Sequence, residues 1–294
     1  MFMKQRIFAL GFFDGVHLGH QALLNACVRL AAELGVQSAA ITFLSHPQSL
    51  FTDTPPKLLT THETRVALLR HFGMESVYAY PVTREVMSTP WEAFLEELVE
   101  FGAAGFVCGA DFRFGRKGLG NAERLLGFCQ ARSLPCVIVE DQTLDGVRIA
   151  SSHIRGLLEA GEIEEANRFL GHPHILTGTV VSGRRLGRTI GIPTANLILP
   201  PEVLCPKHGV YACVAEVEGE RYAAVTNIGS RPTVGGHRVT VEPWLLDFSG
   251  DLYGKNLRLE LHAFLREEQK FDTLEELKAA ILENEQQTRT LLKM

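Results

Sequence analysis

Short apolar runs alternate with amphipathic stretches through the first half of the chain: RIFALGFF (6–13), HQALLNACVRLAAELG (20–35), QSAAITFL (37–44), WEAFLEELVEFG (91–102), AAGFVCG (103–109) and PCVIVED (135–141). This β–α–β punctuation predicts a parallel sheet covered by helices. Ligands of such sheets sit outside the carboxyl ends of the strands. DFRFGRKGLGN (111–121) follows one strand almost directly, so its polar residues are expected at that edge.

From Ser151 the pattern changes. SSHIRGLLEAGEIEEANRFLG (151–171) reads as two short helices parted at Gly161 and stopped by Gly171, ahead of Pro173. A boundary near residue 172 is expected, giving domains 1–172 and 173–294. Beyond it, HILTGTVV (174–181), GVYACVAEV (209–217) turning through EGERY into AAVTNIG (223–229), RVTVEPWLLDF (238–248) and NLRLELHAFL (256–265) read as strands without intervening helices. They predict a small antiparallel barrel. In TLEELKAAILENEQQTRTLL (273–292), Thr273 and Glu276 make a capping box, and Leu274, Leu277, Ile281, Leu291 and Leu292 supply an apolar stripe for packing on the barrel.

Composition narrows the function classes. At 294 residues and 46% hydrophobic content, the chain has material for two cores, and its net charge of -5 argues against a general nucleic-acid or acidic-membrane binder. The six cysteines include no C-x-x-C and are expected to be reduced thiols. The run IFALGFF is short, is broken by Asp14 and precedes no cleavage-like site, so it reads as a buried strand rather than a signal peptide. A soluble, cytoplasmic protein is expected, monomeric or weakly oligomeric.

In DGVHLGHQ, His17 and His20 stand at i and i+3 and face the same way at a helix start, where free N–H groups and the dipole favour anions. Gly15 and Gly19 let a phosphate approach the backbone, and the imidazoles can stabilise charge on an attacked α-phosphate. A surface pair of histidines, or a metal site recruiting His46, are the alternatives. The strand, glycine turn and helix around the motif favour the anion site.

GFFDGVHLGH resembles the HxGH signature of the nucleotidyltransferase superfamily, in particular the adenylylating module of prokaryotic bifunctional riboflavin kinase/FAD synthetases. The similarity continues through TFLSHP, CGADFRFG and ASSHIR. The resemblance implies that His17 and His20 hold ATP phosphates, with Gly11, Asp14 and Gly15 beside them. It also implies that His46 lines the site, Asp111 contacts flavin or nucleotide, and Ser152 and Arg155 close over the triphosphate. Phe12 stands where the family often has asparagine. Taken alone, Asp111 reads as a turn or capping residue and Arg155 as a solvated helix charge.

In VVSGRRLGRTIGIPTANL, Gly183, Gly187 and Gly191 interleave with Arg184, Arg185 and Arg188, a loop able to wrap phosphates with N–H groups and guanidinium forks. An ordinary surface turn is the alternative, and no GxxxxGK[ST] is present. On an extended segment Thr194 and Asn196 point the same way and offer hard oxygens of the kind that suit Mg2+, or else they satisfy a turn.

The stretch resembles the riboflavin kinase signature, as do NIGSRPTVGG, which opens at Asn227, and VEPWLLDFSGDLYGKNL. The resemblance implies nucleotide or flavin binding by Gly183, Arg184, Gly187, Arg188 and Asn227, Mg2+ ligation by Thr194 and Asn196, and Glu242 as the catalytic base. Alternation puts Glu242 on one face with Thr240, Trp244 and Leu246. Pro243 suggests an edge strand, where an unremarkable edge charge is the other reading of Glu242. Asp247 is the second candidate base.

The fold class implied is α/β plus β: a Rossmann-like nucleotidyltransferase domain, then a six-stranded antiparallel β-barrel riboflavin kinase domain with a terminal helix. The function implied is phosphorylation of riboflavin by ATP to FMN and adenylylation of FMN to FAD and pyrophosphate. The ligands are small molecules: ATP, Mg2+, riboflavin, FMN and FAD. A single-activity enzyme with one decayed module and a flavin or nucleotide sensor are the rivals.

Overall fold

The computed structural model describes residues 4–182, 191–233 and 236–294, with backbone alone at 231–233 and 236–238. Two compact units emerge. One holds residues up to Leu58 together with His62–Ser151, and the other holds Leu59–Thr61 with Ser152–Met294.

The first unit is built on strands β1 (Arg6–Leu10), β2 (Gln37–Phe43), β3 (Ser76–Tyr80), β4 (Ala103–Gly109) and β5 (Cys136–Val139), all parallel in the order β3-β2-β1-β4-β5. Helices α1 (Leu18–Leu34), α2 (His62–His71), α3 (Arg84–Met87), α4 (Trp91–Glu100) and α5 (Ala122–Ala131) connect them, and a small hairpin, β6 (Thr143–Leu144) with β7 (Val147–Arg148), follows β5. β1 is central, so Ile7, Phe8, Ala9 and Leu10 are buried on both faces, which is why it reads as an unbroken apolar run. The order reverses beside β1, so the crevice for a ligand lies past Leu10.

In the second unit, α6 (Ser151–Ala160, its first residue in the first unit) and α7 (Ile163–Leu170) precede β8 (His174–Val181), β9 (Asn196–Ile198), β10 (Gly209–Val217), β11 (Glu220–Thr233), β12 (Gly236–Leu245) and β13 (Asn256–Arg266). These six strands close an antiparallel barrel in the order β10-β11-β12-β9-β8-β13. Glu218 (φ 53) and Gly219 (φ 87) make the two-residue β10–β11 turn, both left-handed as a tight hairpin requires.

The helix pair packs with the barrel. Asn167 donates to the Leu261 carbonyl at 2.8 Å and accepts from the His174 N–H at 2.7 Å, and the Lys207 N–H donates to the Leu158 carbonyl at 2.9 Å. Contacts thus divide the chain earlier than residue 172, where the secondary-structure pattern changes.

Two local expectations need correction. β12 is not an edge strand. It lies between β11 and β9, and Pro243 sits where the short β9 ladder runs out, its carbonyl accepting from the Ala195 N–H at 2.9 Å. The closing helix, α8 (Leu274–Leu292), has the expected capping box. Its packed face carries half-buried Leu277, Ile281 and Leu292 as expected, but its buried centre is polar, Asn284 and Thr288, and Leu274 and Leu291 are exposed. Arg266, at the end of β13, donates to Asn284 Oδ1 at 3.0 Å and so turns that face of the helix inward.

Burial also writes a pH dependence into the barrel unit. His174 is fully enclosed, and burial, then neighbouring His172, pushes its pKa down to about 3. An unfolded chain takes up the proton near pH 6.5, while the folded unit refuses it until about pH 3. Stability contributed by this group is therefore lost as pH falls below 6.5, by up to about 1.4 kcal/mol per pH unit. Thermal unfolding followed from pH 7 to 5 should show a falling midpoint, and His174→Phe should flatten that slope.

Candidate active sites

The first site forms where β1 gives way to α1. The chain turns through three left-handed residues, Phe13 (φ 60), Gly15 (φ 78) and Val16 (φ 43). For Phe and β-branched Val this conformation costs about 1–3 kcal/mol each, strain of the kind stored at functional sites. His17 then caps α1, its Nδ1 accepting the His20 N–H at 3.3 Å. An accepting Nδ1 puts the proton of neutral His17 on Nε2 and lets that atom donate. Gly19 makes room for this arrangement, because a Cβ there would lie 3.3 Å from the His17 ring.

His20 stacks beneath His17, with ring centroids 3.7 Å apart and planes 15° from parallel. Burial, then His17 and Arg65, hold its pKa well below the ordinary histidine value, so it is neutral at pH 7. Its Nδ1 is buried without a hydrogen-bond partner among the described residues. Two imidazoles at a helix start can thus donate N–H bonds to a phosphate.

These groups line a cavity of about 380 Å³ with Gly11, Asp111, Asp141, Arg148 and Ser151. Gly15 and Asp14 are buried in the turn, whose Asp14 carbonyl accepts the Ser151 hydroxyl at 3.1 Å. His46 is not among the lining residues. Its Nδ1 caps the turn Pro47–Leu50 by accepting the Gln48 N–H at 3.1 Å, its ring packs edge-on against Phe12 at 5.0 Å, and Pro47 reaches the cavity instead. Ser152 and Arg155 lie on the first two turns of α6 in the second unit, exposed and half-buried respectively.

The rim holds groups that sequence reasoning missed. Arg148 bridges Asp111 (2.6 Å) and Asp141 (2.6 and 3.0 Å), so Asp111, which stands in the turn after β4, is also tied to a cation. Asp141 was detectable as the polar end of the PCVIVED strand, but Arg148 had no local signal. A second, mostly apolar cavity of about 120 Å³ adjoins the first through Gly11, Phe43, Pro47 and Phe112, with Tyr80, Phe94 and Phe114 in its walls. It suits a flat aromatic ring.

The second unit has its own cavity, about 370 Å³, lined by Gly191, Pro193, Thr194, Ala195, Pro243, Leu245 and the loop Phe248–Tyr253. Thr194 is exposed there, and Asn196 opens β9, half-buried. Gly183, Arg184, Gly187 and Arg188 lie outside the described residues. Glu242 is half-buried and pairs across the ladder with Asn227, so the two share a face with Thr240 and Trp244. Pro243 and Leu245, which line the cavity, alternate to the other face. Trp244, paired with Val225, packs on the same apolar cluster as Leu292 of α8. The face that carries Glu242 also receives Glu268, whose carboxylate lies so close to Gly229 that a Cβ would have no room.

Asp247, the second candidate base, is engaged by a cation. It sits at φ 59, and Arg289 of α8 grips its carboxylate through two bonds of 2.8 and 2.9 Å, which hold its pKa low. Asp247→Asn should leave the unit's catalytic rate far above the roughly 10²–10⁴-fold loss that removing a general base brings. Steady-state kinetics of that variant check this.

A family model described as FAD synthetase matches residues 2–153, and one described as riboflavin kinase matches residues 170–292. A bifunctional riboflavin kinase/FMN adenylyltransferase of Listeria monocytogenes is 36% identical over 288 residues, 97% of this chain and 91% of that protein. The chain belongs to this bifunctional family. Its member from Bacillus subtilis is 35% identical over 287 residues, 96% of this chain and 90% of the relative. A crystal structure from Streptococcus pneumoniae described as a macrolide-efflux protein is 28% identical, with a TM-score of 0.88, covering 98% of this chain and 95% of that one. The family architecture thus extends along essentially the whole chain. Among the described residues, no helix is long and apolar enough to cross a membrane.

Proposed function

We propose that the chain converts riboflavin to FAD in two ATP-dependent steps, one in each module. The observation that carries this reading is that described residues of both signatures, His17 and His20 in one unit and Thr194 in the other, line a cavity within their own unit. The modules are assigned to residues 1–172 and 173–294, in a cytoplasmic protein that is monomeric or weakly oligomeric.

In the kinase step the riboflavin 5′-hydroxyl attacks the γ-phosphate of ATP, Glu242 takes the hydroxyl proton, and ADP leaves. Asn227, directly across from Glu242, orients the flavin or nucleotide. Gly183, Arg184, Gly187 and Arg188 wrap the phosphates. Mg2+ fits the donor set: Thr194 and Asn196, which offer neutral hard oxygens, would hold it beside the nucleotide phosphates. Bound there, it would neutralise charge on the phosphates.

In the adenylylation step a phosphate oxygen of FMN attacks the α-phosphate of ATP, and the bond from that phosphorus to the bridging oxygen of pyrophosphate breaks. His17 and His20, with Gly11, Gly15 and the start of α1, stabilise the charge gathered on the α-phosphate. Asp14 holds the turn, His46 orders the wall through Phe12, and Asp111 meets the substrate from the rim. Ser152 and Arg155 act on the triphosphate. The apolar cavity beside the histidines takes the isoalloxazine ring.

Separate assays test the reading. Riboflavin plus ATP should release ADP, FMN plus ATP should release pyrophosphate, and a sensor would bind flavin with neither release.

A further inference from the structure

Arg65 is the largest fully buried side chain among the described residues, with no exposed surface. From α2 it reaches under the turn that carries the histidines. Its Nη2 donates to the Phe43 carbonyl at the end of β2 (2.5 Å) and lies 3.5 Å from His62 Nδ1, and its guanidinium carbon stands 4.4 Å from the Phe12 ring centroid. Nε and Nη1 have no hydrogen-bond partner among the described residues. A buried cation with unsatisfied donors is costly for folding alone, since a methionine would fill such a slot without desolvating a charge.

We propose that Arg65 is a positioning residue for adenylyl transfer, a buried fixed cation that pins the glycine–histidine turn to the end of β2 and sets positive potential beneath the phosphate site. Phe12 and Phe43, the two residues it touches on the cavity side, both line the cavity that holds His17 and His20. The guanidinium cannot reach solvent or substrate, so it acts through the walls, in a medium where a charge is poorly screened. Burial lowers its pKa only to about 10, with Asp14 opposing that shift, so the charge persists at neutral pH. It is also one of the groups that keep His20 neutral. This proposal rests on adenylyl transfer in the first module.

The test uses the full chain, whose kinase step serves as an internal control. Arg65→Met should lower kcat for FAD formation from FMN about a hundredfold, the scale of a small misplacement at a reacting centre, while KM for ATP changes little and FMN formation from riboflavin is retained. Arg65→Lys should recover most of the loss, because a lysine shifted down by the same amount from about 10.4 remains protonated at pH 7. If Arg65→Met fails to unfold cooperatively, Arg65→Gln replaces it as the uncharged variant. A packing role predicts the reverse order, with Met at least as active as Lys. That order, or wild-type FAD formation in the uncharged variant, would overturn the proposal. Failure of the wild type to make FAD from FMN would instead strike the assigned function.

Discussion

Glu242→Gln should lower the rate of FMN formation about 10²–10⁴-fold while FAD formation from supplied FMN stays near wild type. Glutamine keeps the size of the side chain and its place opposite Asn227 but cannot accept the proton of the 5′-hydroxyl. Because Glu242 lies half-buried within a ladder of a closed barrel, the substitution leaves the backbone pairing intact. Discontinuous assays with riboflavin or FMN as sole flavin separate the two outcomes. Equal loss of both activities would contradict the assignment of one chemistry to each module.

Replacing His17 and His20 together by alanine should produce the converse, with FMN accumulating and FAD absent. Each lost phosphate donor is expected to cost about 10²–10³ in kcat, by analogy with removal of a single oxyanion donor. His17→Ala carries a second effect, since it deletes the Nδ1 cap of α1 and destabilises that helix by about 1 kcal/mol. His17→Asn separates the two effects, because its side-chain oxygen can restore the cap while no imidazole donor returns. A variant lacking both imidazoles that still makes FAD at the wild-type rate would remove them from the mechanism.

Local features were legible in the sequence, and features that depend on distant contacts were not. His17, His20 and the glycines between strand and helix could be read because their geometry is set within one turn of chain. The Thr273–Glu276 capping box and the helix break at Gly161 belong to the same class. Arg148, by contrast, meets Asp111 across 37 residues, and no local pattern marks it. Arg65 looks like a solvated charge on a polar helix until the fold closes over it. On α8 the apolar spacing found part of the packed face, Leu277, Ile281 and Leu292, but not its two polar members, Asn284 and Thr288, because Asn284 is matched by Arg266 from a distant strand. Pro243 misled for a related reason: a missing N–H implies only that no donor is needed there, and the end of the short β9 ladder meets that condition as well as an edge does.

The most direct measurement follows riboflavin, FMN and FAD by chromatography after purified protein is mixed with riboflavin, ATP and Mg2+. Riboflavin should fall, FMN should rise and then decline, and FAD should accumulate after a lag, with pyrophosphate released only as FMN is consumed. Tight flavin binding with no conversion of riboflavin or of supplied FMN would contradict the two-step account.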